Sequence, residues 1–79
     1  MQHQSDYQQS VNLPEAITAE LSRNQELLDQ YHEVSRLPGI SVGFVVAGIK
    51  TDIKLAQEAL ASGDIVKMAR ALQRLQENK

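Results

Sequence analysis

Asp29, His32 and Arg36 recur at three and four residues, the spacing at which a helix stacks side chains on one face. An Asp–His pair so placed could orient an imidazole as a general base. Nucleophilic chemistry would also need a serine held beside that imidazole. Ser22, Ser35, Ser41 and Ser62 each have a simpler place at a helix surface or cap, and the chain has no cysteine. His3 falls in a polar stretch without periodicity. A solvated surface histidine is therefore the simpler reading of His32. Glu26, Asp29 and Glu33 lie on adjacent turns, but the paired Glu-x-x-His pattern of a helical metal site is absent. Gly43 and Gly48 lie in an apolar run without the lysine of a phosphate-binding loop. These patterns argue against an enzyme and imply neither cofactor nor metal.

Lys67, Arg70 and Arg74 form a basic stripe near the C-terminus, where contact with phosphates or with an acidic partner is the chemistry on offer. A helix-turn-helix alignment that gives Ala59 and Gly63 the small-residue positions puts Glu58, Ser62 and Asp64 where the core should be apolar. The alignment fails, no aromatic interleaves the basic residues, and the net charge is −2. A nucleic-acid surface is thus the alternative, and a solvated or protein-facing stripe is preferred. Asn24 is the remaining polar residue of interest, because it falls on the stripe of Ile17, Leu21, Leu28 and Tyr31. One buried Asn can fix register in a helical assembly at a cost in stability. An exposed Asn at a polar kink is the competing expectation.

The elements that would position these residues follow from apolar spacing. Val42, Val46, Ile49, Ile53, Ala56 and Leu60 alternate steps of four and three, and Ile65, Met68 (or Ala69), Leu72 and Leu75 resume the rhythm after Ser62-Gly63-Asp64. Two amphipathic helices are expected there, with Gly63 as a left-handed C-terminal cap and Asp64 as the next N-cap. Asn12-Leu13-Pro14-Glu15 opens an earlier helix with a cap, a first-turn proline and a capping-box glutamate. Pro38 stops it, and Leu37-Pro38-Gly39-Ile40 suits a type II turn. Ser41 is the expected cap of the second helix, with Ile40 and Val45 as a hydrophobic staple. The β-branched run from Ile40 to Val46 could be a strand, but no second strand exists to satisfy its backbone.

The expected fold is all-α, a small antiparallel three-helix domain over residues 12–79, with helices near 13–36, 41–61 and 64–78. Ser22-Arg23-Asn24-Gln25 is wholly polar and could divide the first helix to give four. A continuous helix is preferred, since nothing there is a strong breaker. Residues 1–11, rich in Gln, are expected to form a flexible polar tail. The stretch from Val42 to Ile49 is apolar almost all round, which marks the second helix as the buried centre.

Seventy-nine residues without a disulfide must rely on helix packing or on self-association. The longest apolar run, residues 40–49, is too short to span a bilayer, and the first residues lack a secretory signal, so a cytoplasmic location is expected. Residues 1–39 hold six acids and two arginines, whereas residues 40–79 hold six basic residues and four acids. Acidic and basic flanks can complement one another or face partners. The functional expectation is a non-enzymatic helical protein-interaction module, an adaptor or inhibitor of a larger protein, that forms a homodimer. Leu27, Val34, Phe44, Val45 and Leu55 are the apolar residues expected to remain for a partner. No membrane and no small-molecule substrate is implied.

Overall fold

The computed structural model describes residues 12–79, so the expected N-terminal tail, residues 1–11, lies outside the described residues. Three helices follow in order: α1 (Leu13–Val34), α2 (Gly43–Ser62) and α3 (Ile65–Glu77), and each packs against both others. No strand occurs among the described residues.

The start of α1 is fixed by a local exchange. The Asn12 side-chain oxygen accepts from the Glu15 N–H at 3.3 Å, and the Asn12 amide donates to Glu15 Oε1 at 2.9 Å. Pro14 sits in the first turn, where a missing N–H costs nothing. The helix is continuous through Ser22–Gln25. It ends two residues before the expected Arg36: the N–H groups of Arg36 and Leu37 reach back only three residues, to Glu33 and Val34, tightening the chain ahead of Pro38. Gly39 then takes φ 81° and Ile40 N–H closes on Leu37 C=O at 3.3 Å, as a type II turn requires.

The expected cap of α2 is corrected. The first helical acceptor is Val42 C=O, which takes the Val46 N–H at 2.9 Å, so Val42 and not Ser41 occupies the N-cap position. Among the described residues no side chain caps that end. The junction between α2 and α3 follows the expected chemistry. Gly63 adopts φ 71° and donates to Ala59 C=O, and Asp64 Oδ1 accepts from Val66 and Lys67 N–H at 2.9 and 3.1 Å.

Among the described residues the buried apolar core comprises Ile17 and Leu28 of α1, Ile49, Ile53, Ala56 and Ala59 of α2, and Met68, Ala71 and Leu75 of α3. Three of these nine are alanines, so the core is small even for this chain length. Leu72 is half-buried and Ile65 is 67% exposed, so the inward face of α3 begins at Met68 rather than at Ile65.

The expectation that the apolar first half of α2 forms the buried centre is overturned. Phe44 is 95% exposed and Val45 41%, Ala47 and Gly48 are exposed, and Val46 alone between Gly43 and Gly48 is even half-buried. The reason is length. Helix α3 has 13 residues, about 20 Å, against 22 in α1 and 20 in α2. Its C-terminal end is tied to Asn24 and Asp52. The ten residues of α1 after Asn24 add only Leu28 to the core, and the nine of α2 before Asp52 add only Ile49.

Candidate interaction site

Two surfaces meet the description of a site, and a buried polar cluster sets their relation. Asn24 is fully buried, so of its two expected placements the buried one is found. Its amide donates to Glu20 C=O at 2.8 Å and to Leu75 C=O at 3.2 Å, while its oxygen accepts from the Asn78 amide at 3.0 Å. Asn78 donates again, to Asp52 Oδ2 at 3.1 Å, and Arg23 Nη2 donates to Leu75 C=O at 2.7 Å. Leu75 C=O belongs to the last turn of α3, where its one backbone donor is the Asn78 N–H at 3.3 Å and carbonyls carry partial negative charge, so amide and guanidinium donors suit it as well. Arg74 stands 3.7 Å from Asp52 at the edge of the cluster. No buried side-chain polar atom among the described residues lacks a partner. The cluster joins all three helices and fixes where α3 stops along the other two.

The first surface is the end of the molecule where α1 turns into α2. Val34 is 40% exposed, Leu37 56%, Ile40 45%, Phe44 95% and Val45 41%. Five large apolar side chains are thus exposed within twelve residues of chain, and exposed apolar groups that gather into one patch are characteristic of interaction surfaces. Of the residues expected to remain for a partner, Val34, Phe44 and Val45 fall here. Leu27 does not: it packs against the core from α1 and is half-buried.

The second surface is a groove between α2 and α3. Leu55, Glu58 and Ala59 line one side and Lys67, Arg70, Ala71 and Arg74 the other, around a volume of about 290 Å³. The three cations expected to form one stripe do share this groove. Leu55 joins them instead of the apolar end, at 42% exposure. The spacing of the basic residues was visible in sequence; the apolar floor of Ala59 and Ala71 was not, since it depends on how α3 is rotated against α2.

His32 is exposed in the last turn of α1, and among the described residues no hydrogen bond joins it to Asp29 or Arg36. Arg36 pairs with Glu33 at 3.3 Å, and Ser35 Oγ donates to the His32 carbonyl. No three His, Asp or Glu side chains among the described residues come together as metal ligands would. No helix among them is long and apolar enough to cross a membrane. Compared with protein-family models, curated proteins and solved structures, the chain matches none.

Proposed function

We propose that this chain is a small non-enzymatic interaction module of the cytoplasm, built from consecutive antiparallel helices, that self-associates and so presents or regulates a larger protein. The observation that carries this reading is the exposure of Phe44, at 95%, among Val34, Leu37, Ile40 and Val45. Fully burying one such side chain is worth about 1.5–3 kcal/mol, comparable with the roughly 3–5 kcal/mol a core of this size supplies. With nine buried apolar residues among those described, the chain therefore gains as much from covering this end as from several internal contacts. Light scattering across dilution is the test: the wild type should show mass above the monomer at high concentration, and Phe44→Asp should remain monomeric with unchanged helicity. A wild type that stays monomeric at every concentration, and recovers no protein partner that Phe44→Asp loses, contradicts the proposal.

The groove supports a second reading, a nucleic-acid-binding regulator, because Lys67, Arg70 and Arg74 face one space. That reading requires binding to DNA or RNA that weakens steeply with salt and is lost in the Arg70→Glu, Arg74→Glu double variant. Binding that is absent at low ionic strength removes it.

A further inference from the structure

We propose that the groove between α2 and α3 receives an amphipathic helix of another protein, its apolar stripe on the groove floor and a row of carboxylates against α3. The groove lies apart from the exposed end at Phe44, and the inference stands whether or not the chain self-associates.

The two walls differ in charge. Lys67, Arg70 and Arg74 line the groove from α3, whereas the α2 wall brings Leu55, Ala59 and one charged residue, Glu58. All three cations are exposed. Arg74 is engaged by Asp52 at 3.7 Å, but among the described residues Lys67 and Arg70 have no ion-pair partner, and Glu58 pairs with neither. Positive charge on one wall alone calls for an occupant with one acidic flank, and it fixes which way round that occupant lies.

The floor distinguishes this occupant from a nucleic acid. Ala59 and Ala71 end in single methyl groups, and Leu55 stands beside them at 42% exposure. The space they leave, about 290 Å³, falls at the lower limit of small-molecule pockets, roughly 300–1,000 Å³. It suits apolar side chains let down from a helix that lies along the groove. Phosphates would satisfy Lys67 and Arg70 but leave the floor uncovered and bring their charge to Glu58. No aromatic side chain lines the groove to stack a base. A helix that is acidic on one flank and apolar on the next satisfies wall and floor together.

The spacing of the cations gives the pattern of the occupant. From Lys67 to Arg74 the α3 wall advances seven residues, about 10 Å or two helical turns. A helix laid alongside meets it with Asp or Glu at intervals of three and four residues over the same length. Its leucine, methionine or valine residues recur at that interval on the adjoining stripe. Charged flanks beside an apolar seam are also how paired helices select partner and orientation.

The test uses the full chain and a fluorescent synthetic peptide of about 18 residues, long enough to form a helix, with a leucine stripe flanked by glutamates. Three controls accompany it: lysines in place of the glutamates, serines in place of the leucines, and a DNA duplex. Fluorescence anisotropy at low ionic strength should show the acidic leucine peptide bound. Exchanging its leucines for serines should weaken binding at least about tenfold, as should the Lys67→Glu, Arg70→Glu double variant of the protein. That variant should take up the lysine peptide instead, an exchange that loss of folding would not produce. Phe44→Ser should leave binding unchanged, which separates this surface from self-association. Equal binding of the serine peptide, or preference for DNA, would assign the cations to a simple polyanion or a nucleic acid and overturn the proposal. It is also overturned if the acidic leucine peptide does not bind, or if its binding is lost in Phe44→Ser. Sedimentation that changes in the Lys67→Glu, Arg70→Glu variant would give the groove to a second copy and contradict it as well.

Discussion

Where α3 ends, Arg23, Asn24, Asp52, Leu75 and Asn78 are joined by hydrogen bonds that leave no described buried polar atom unpartnered; where α1 turns into α2, Leu37, Ile40, Phe44 and Val45 face outward. Both regions break a simple rule of composition, since one buries polar groups and the other exposes apolar ones. The difference shows what each does. Buried polar groups tolerate only the arrangement that satisfies them, so the Asn24 cluster specifies one alignment of three helices. Exposed apolar groups contribute nothing to that alignment and are stabilised only when another surface covers them. The polar region fixes how the three helices pack, and the apolar region is left uncovered by that packing.

Substitutions at the polar end should be the most severe. Asn24→Asp cannot donate to Glu20 C=O or Leu75 C=O and brings a charge to a fully buried position. Leu75→Ala removes a fully buried side chain beside it. Each should cost about 3 kcal/mol or more, most of the stability expected of a core this small, and urea denaturation should find both variants largely unfolded at ambient temperature. A smaller cost sharpens the same contrast at the α2–α3 junction. Asp64→Ala loses the acceptor for Val66 and Lys67 N–H and should cost about 1 kcal/mol, lowering Tm by roughly 4–8 °C. Phe44→Ser should have the least effect on the isolated monomer, within about 0.5 kcal/mol at high dilution, because the ring touches so little of its own chain. A large loss there would place Phe44 in the monomer's core and erase the distinction between the two ends.

Local features of the fold were legible in the sequence because they are set by neighbours. Asn12, Gly39, Gly63 and Asp64 act within four residues of themselves, and their roles follow from side-chain length and allowed φ. The three helices were legible from period alone. What period cannot say is whether another element is long enough to cover an apolar face. The first half of α2 reads as core until α3 is seen to end at Glu77, held beside Asp52. Asn24 stood visibly on an apolar stripe, but its burial depends on Leu75 and Asn78, 51 and 54 residues away. The sites were half legible for the same reason. Phe44, Val45 and Val34 were identifiable as surplus apolar residues, while the separation of Leu55 into the basic groove required the packing of α2 against α3.

The central claim is that the exposed apolar end is stabilised by a second copy, and the concentration dependence of thermal unfolding tests it most directly. Association of folded chains stabilises them by mass action, so Tm of the wild type should rise by several degrees over a roughly hundredfold increase in protein concentration. Tm of Phe44→Asp should stay constant over the same range. A wild-type Tm that does not change with concentration, or a Phe44→Asp variant that rises as steeply as the wild type, would contradict the account.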